Sequence, residues 1–195
     1  MAFLRSVSLL ENGPILKGDG VWLRYPQSGD YSQWARLRDK SRNFLRPWEP
    51  EWGEDELSRA AYRRRLRHYH REIRDGTGYA FFLFRSGDKK LLGGVTLTNV
   101  RRGVSQSVSV GYWVGAPYSR QGYMTAAMKV IVPFVFDTLG FHRLEAACLP
   151  SNAPSSGLLE KCGFLYEGLA RQYLKINGIW QDHLLYAIVE EDLRR

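Results

Sequence analysis

The residues best suited to chemistry lie in a stretch without acids. From Lys89 to Phe136 there is no Asp or Glu, while Lys89, Lys90, Arg101, Arg102, Arg120 and Lys129 all fall within it. In its middle runs Tyr118-Ser119-Arg120-Gln121-Gly122-Tyr123-Met124-Thr125, which reads as a strand-to-helix turn. A helix N-terminus presents unpaired N–H groups and about half a positive charge. Helices usually put Asp or Glu there, and this one does not. Gly122 lets a ligand approach the main chain. Arg120, Gln121 and the hydroxyls of Ser119 and Thr125 can add donors. Such a turn suits a phosphate or diphosphate. A plain helix start with Gly at a sharp bend accounts for the same residues equally well when they are taken alone.

The preceding strand shifts that balance. Val108, Val110, Tyr112 and Val114 alternate with Ser107, Ser109, Gly111 and Trp113, the period-two pattern of a strand. Gly111 marks a bulge or a place where something approaches the backbone. A ligand with an amide-bearing arm could pair with Tyr112, Trp113 and Val114 as an added strand would. Its phosphates would then reach the turn. Coenzyme A has that shape: a thiol, two amides, a diphosphate and adenosine.

The elements that must position these groups follow from periodicity and breakers. Residues 20–25 alternate as a strand and stop at Pro26. Asp30 caps a helix through Trp34 and Leu37 to about Ser41. Pro47 and Pro50 exclude a regular helix in the Trp48 and Trp52 segment, which reads as a loop that binds or tucks onto the core. Residues 55–74 are helical, with Leu57, Ala61, Tyr62, Leu66, Tyr69 and Ile73 on one face. Arg59, Arg63, Arg67, Arg71 and Arg74 form a neighbouring basic face, either solvated or in contact with RNA. His68 and His70 diverge by about 200° on a helix and cannot share a metal, and no metal site is expected. Strands follow at 79–85 and 91–98, then a helix over 122–138 disturbed at Pro133. A strand at 144–149 leads to a short helix from Ser151 or Asn152 to Lys161, stopped by Gly163. Two strands, 167–176 and 180–189, flank an Asn177-Gly178 turn. The order predicts a mixed α/β sheet with helices on its faces.

The 195 residues suit one domain with a full core and are few for two. The net charge of +8 favours anionic partners. The longest apolar run, Val130 to Phe136, is far below the roughly 18 residues that cross a bilayer. No membrane segment or signal-peptide cleavage pattern is read. Cys148 and Cys162 read as buried free thiols, which fits a reducing cytoplasm.

The run from Gly111 to Thr125 resembles the acetyl-CoA motif of the GNAT acetyltransferase family. Asn152-Ala153-Pro154-Ser155-Ser156, with Leu158, Leu159, Glu160, Lys161, Gly163 and Phe164, is similar to the family's Asn-x-x-Ser segment and closing Gly-Phe. Asp182-His183-Leu184-Leu185-Tyr186-Ala187 and Leu45-Arg46-Pro47-Trp48-Glu49-Pro50 look like the RimJ/RimL branch, and most like its RimJ alanine type. That branch acetylates the N-terminal amine of ribosomal proteins.

The resemblance implies a single GNAT domain over residues 18–193 behind a leader of residues 1–17. It implies acetyl-CoA as co-substrate, held by Tyr112, Trp113, Val114, Ser119, Arg120, Gln121, Gly122, Tyr123, Met124, Thr125, Asn152 and Ser155. Ser155 would bond or protonate the leaving thiolate, and a main-chain N–H near Trp113 would polarise the carbonyl. Glu49, Asp182, His183 and Tyr186 would orient the amine or relay its proton, with Trp48 and Glu49 touching the acceptor. Each of these side chains also has a structural reading, and for Asn152 and Ser155 it is helix capping. Transfer is direct, with no enzyme-bound acetyl. The implied partner is a ribosomal protein N-terminus or the ribosome, met in the cytoplasm by a monomer or homodimer.

The departures are informative. The motif's three marker positions hold Ser119, Gly122 and Met124, so main-chain donors must do the phosphate work. The place of a Glu base found in some members holds Ser109, and that of a Tyr acid holds Leu159. Neither role carries over. An α-amine of pKa about 7.7–8 is roughly a fifth to a third neutral near pH 7.4, whereas a Lys amine is about 0.1% neutral. A site without a base therefore suits an N-terminal amine. Two alternatives stand. One is a GNAT enzyme for a small amine such as a polyamine or aminoglycoside, favoured by the acids Glu49, Glu51, Glu54, Asp55 and Glu56. The other is a non-catalytic module that binds RNA or the ribosome.

Overall fold

The computed structural model describes residues 13–194. The expected leader lies largely outside them, but Leu16–Gly18 is a strand, β1, on the outer edge of the sheet. It pairs with β2 (Val21–Arg24). Then come α1 (Tyr31–Lys40), a single turn α2 (Arg42–Leu45), a 3-10 turn at Arg46–Trp48 and the long helix α3 (Arg59–Asp75). Strands β3 (Tyr79–Arg85), β4 (Leu91–Arg101) and β5 (Ser107–Val114) form a meander. Helix α4 (Tyr123–Pro133), β6 (Arg143–Cys148), α5 (Ala153–Lys161), β7 (Leu165–Ile176) and β8 (Ile179–Val189) complete the domain.

The sheet has the order β1-β2-β3-β4-β5-β6-β8-β7 and is antiparallel except between β5 and β6. Both faces are covered at its centre, which is why Ala80 to Phe84 are buried in succession rather than alternately. On one face α1 and α3 set Trp34, Leu37, Tyr62 and Leu66 against Phe82, Phe84 and Leu91. On the other, α4 sets Met124, Ala127, Met128 and Ile131 against Phe81, Leu83, Val95 and Leu97.

Local chemistry explains the boundaries. Helix α3 begins later than the pattern suggested because Ser58 caps it, Oγ accepting from Ala61 N at 3.0 Å. Gly76, at φ 67°, ends it. Pro133 has no N–H to give, and the helix widens into a π turn at Phe134–Thr138.

Of the two expectations at Gly111, a bulge or a close approach to the backbone, the bulge is absent. The β4–β5 ladder runs unbroken from Gly93↔Val114 to Thr98↔Ser109, and the irregularity falls beyond Thr98, where Asn99 has φ 53°. Gly111 serves instead in a stretch whose other edge is open. The parallel pairing of β5 with β6 covers only Ser107 to Ser109, and from Val110 the two strands part.

Candidate active site

The parting of β5 and β6 leaves the β6-facing edge of residues 110–114 without a strand partner. Main-chain donors and acceptors of a strand demand partners, so this edge is a template for an added amide chain. Gly93 and Gly94 on β4 let β5 lie close. A Cβ on Gly93 would stand 2.1 Å from Trp113 O, and one on Gly94 2.9 Å from Trp113 Nε1.

The open edge leads through a 3-10 turn at Ala116–Tyr118 to the start of α4. Ala116 N donates to the buried Ser41 Oγ at 2.9 Å, which pins the turn to α1's end. Arg120 at φ 59° and Gly122 at φ 81° are both left-handed, the alternation that turns successive N–H groups into an anion-binding hollow. No side chain caps α4 and no acid lies in its first turn. Two expected donors are already committed. Ser119 Oγ donates to Ala116 O at 3.1 Å, and Gln121 Nε2 donates to Pro117 O at 2.9 Å. The Met124 side chain is in the core, so only its main chain faces the hollow. The Tyr123 hydroxyl engages Arg85, which is ion-paired with Asp88.

At the start of α5, Asn152 is the N-cap, its Oδ1 accepting from Ser155 N at 3.2 Å. The Tyr112 hydroxyl and Ser155 Oγ are 2.8 Å apart. Burial pushes the Tyr112 pKa well above its ordinary value, so it stays a proton donor. Leu159 is fully buried. Tyr186 is buried too, its hydroxyl donating to Glu160 at 3.2 Å, one helical turn beyond Ser155. Neither cysteine is an activated nucleophile: Cys148 is buried against Ser156, and burial raises the Cys162 thiol pKa.

Asp182, His183 and Tyr186 do not converge. Neighbours along a strand face opposite sides, so Asp182 and Tyr186 share a face that His183 does not. Asp182 Oδ1 accepts from Gln172 N at 2.8 Å at a β7 bulge, and Asp182 lines an open cavity of about 440 Å³ with Arg171 and Gln172. His183 is buried, Nδ1 donating to Gln181 O at 2.9 Å and its ring meeting Tyr173 edge-on.

Glu49 is not a free base. Arg38 grips both its oxygens, at 2.6 and 2.7 Å, and Trp52 Nε1 donates to Oε2 at 2.9 Å. The Arg38 guanidinium also packs on Trp52 and Trp113, at 4.3 and 4.9 Å from the ring centres. Glu49 O accepts from Asn177 N at 2.9 Å, tying the loop to the β7–β8 turn. Trp48 is half-buried in the same segment. The sequence reading missed Arg38, although Trp34, Leu37, Arg38 and Ser41 follow the helical i, i+3, i+4, i+7 pattern. A basic residue in that buried row needs a carboxylate partner. Of the acids beyond the loop, Asp55 is engaged by Arg64 and Glu56 by Arg65. Among the described residues no three His, Cys, Asp or Glu come together as a metal site, and no helix is long and apolar enough to cross a membrane.

Comparison with known proteins agrees with this architecture. The acetyltransferase (GNAT) domain family matches residues 21–165. A Bacillus subtilis protein named "Probable N-acetyltransferase YjcK" is 33% identical over 91% of this chain and 98% of its own. The Escherichia coli "[Ribosomal protein uS5]-alanine N-acetyltransferase" is 33% identical over 91% of each. The solved structure described as Mycobacterium smegmatis RimJ in complex with CoA-disulfide superposes with a TM-score of 0.86 at 33% identity, over 93% of this chain and 88% of that one. The open β5 edge and the acid-free turn thus belong to an acetyl-CoA-dependent N-acetyltransferase, and this chain is a member of the GNAT acetyltransferase family.

Proposed function

We propose that the enzyme acetylates the free α-amine of a protein N-terminus, with an alanine-initiated ribosomal protein as the acceptor. The name of the Escherichia coli relative and the RimJ likeness support the acceptor class. The observation that carries the reading is electrostatic. Of the five acids beside the Trp loop, Glu49, Asp55 and Glu56 are each ion-paired to an arginine of this chain, which leaves the exposed Glu51 and Glu54. A polyamine or aminoglycoside would need those carboxylates free. The exposed Tyr173, Leu174, Ile179 and Trp180 of the β7–β8 hairpin suit a peptide better than a polycation.

The residues present fit the co-substrate. The main chain of Tyr112, Trp113 and Val114 would hold its amide arm, and Arg120 with the N–H groups of Gly122 to Thr125 its diphosphate. When bound, acetyl-CoA supplies the acetyl group as a reactive thioester. Ser155 Oγ gives its proton to the departing sulfur while accepting a hydrogen bond from the Tyr112 hydroxyl, and the proton shed by the acceptor amine restores Ser155. The N–H groups of the open edge near Trp113 are placed to polarise a carbonyl. Asp182, with Oδ2 not used by Gln172, can attract the ammonium form of the acceptor. Glu49 and Arg38 keep the Trp loop in place rather than touching the amine. Tyr186 and His183 serve the packing of β8.

Turnover of acetyl-CoA against a panel tests this: a peptide with free N-terminal Ala, the same peptide blocked there but carrying Lys, spermidine and an aminoglycoside. The free N-terminus should lead in kcat/KM by at least ~10-fold. Preference for the blocked Lys peptide or for spermidine overturns the assignment.

A further inference from the structure

Helix α3 carries seven arginines against Glu72 and Asp75, and no lysine. At 3.6 residues per turn, Arg59, Arg63, Arg64, Arg67, Arg71 and Arg74 fall with His70 and Ala60 in one sector of about 140° that holds no acid. The buried row of Tyr62 and Leu66 borders this sector on its Arg59 side. Arg63, Arg67 and Arg71, spaced i, i+4, i+8, are exposed and have no ion-pair partner among the described residues. They are about 6 Å apart along the axis. Of the acids of this region, Asp55 and Asp75 pair with Arg64 and Arg74 of the sector, while Glu72 meets His68 and Glu56 meets Arg65 on the far flank.

We infer that this face of α3 is a docking surface for RNA. A row of three unpaired arginines over about 12 Å of helix, flanked by Arg59, Arg64 and Arg74, matches a polymer with a charge at every residue. The choice of arginine alone points the same way, since its planar fork pairs with phosphate bidentately and stacks on bases, whereas a merely solubilising face would use lysine as readily. Loop residues 53–58 join this helix to the Trp52 segment, so RNA held here would keep a ribonucleoprotein acceptor near the transferase. The inference stands apart from the acceptor assignment: RNA binding is read without acetyl-CoA, and peptide turnover without RNA.

The experiment is fluorescence anisotropy of the full chain with a labelled 20-nucleotide single-stranded RNA between 50 and 300 mM salt. Binding should be salt-dependent. Arg63→Glu with Arg67→Glu and Arg71→Glu should weaken it at least 10-fold and reduce the log–log salt slope by about 2, given about 0.7 per phosphate contact on a single strand. Lys17→Glu, Arg36→Glu and Lys40→Glu together, with the same charge change elsewhere, should cost under 3-fold. Turnover of a free Ala peptide should be unchanged in both variants. Should the charge reversal unfold the chain, Arg63→Gln with Arg67→Gln and Arg71→Gln takes its place and should still lose affinity. No RNA binding at 50 mM salt, equal loss in the control, or an unchanged slope overturns the inference. So does competition by poly-glutamate as effective as RNA of equal charge, which would assign the face to an acidic protein.

Discussion

The Tyr112 hydroxyl and Ser155 Oγ stand 2.8 Å apart, joining β5, just past the point where it leaves β6, to the first turn of α5. Asn152 caps that same turn at Ser155 N. Burial keeps Tyr112 neutral. Two hydroxyls so fixed can pass a proton without any carboxylate, in a domain where the place of the Tyr acid of some relatives holds the buried Leu159.

Ser155→Ala should lower kcat about 100-fold, the range for losing a positioned proton donor, with KM for acetyl-CoA within about 3-fold. Tyr112→Phe should cost about 10-fold. The double variant should be no slower than Ser155→Ala, because the groups act in series. Steady-state kinetics of the four forms checks this, and additive losses would mean separate roles.

Arg38→Ala would leave the partly buried Glu49 without its cation and remove the slab between Trp52 and Trp113. A loss of about 2–4 kcal/mol in urea unfolding is expected, somewhat below that for a fully buried pair because Glu49 keeps some exposure. Arg38→Met combined with Glu49→Gln should recover part of that loss, since no charge is then left alone. A cost under about 0.5 kcal/mol for Arg38→Ala would mean that the ion pair does not anchor the loop.

Thr125→Glu separates helix stability from ligand binding. A carboxylate in the first turn of α4 favours the helix by about 0.3–1 kcal/mol. It would also repel a diphosphate from the same N–H groups. Thermal unfolding should therefore be unchanged or slightly higher, while KM for acetyl-CoA rises at least ~10-fold. Unchanged KM would move the diphosphate elsewhere.

Two pH effects should be distinct. On a free N-terminal peptide kcat/KM should rise to about pH 8 as the α-amine loses its proton, then stay level to about pH 10, because Tyr112 remains protonated. Stability should behave differently. Burial pushes the Tyr25 pKa up to about 12 and that of Tyr62 higher still. Above pH 10 the unfolded chain loses these protons while the folded one keeps them. The stabilisation is thus whole below about pH 10 and is lost as pH rises through about 12. Chemical denaturation between pH 8 and 12 reads this directly.

The sequence by itself determined most of the element order, the cap at Asn152 and the bare start of α4. These rest on neighbours: the period of β5, Asn152 ahead of a short helix, the acid-free run, Gly122 before Tyr123. The tertiary structure decided which groups are free to act. Gly111 reads as a bulge or a close approach; the β4 ladder is regular there and the opening lies on the β6 side, a matter of where a parallel pairing stops. Ser119 was read as a phosphate donor, yet its hydroxyl is consumed by Ala116 O. Glu49 was read as a candidate base, yet Arg38, eleven positions earlier on another element, holds both its oxygens. Tyr112 and Ser155 are 43 positions apart. Periodicity and capping are written in adjacent residues, whereas the engagement of a donor or a carboxylate depends on strand register and helix rotation, which only the packed chain settles.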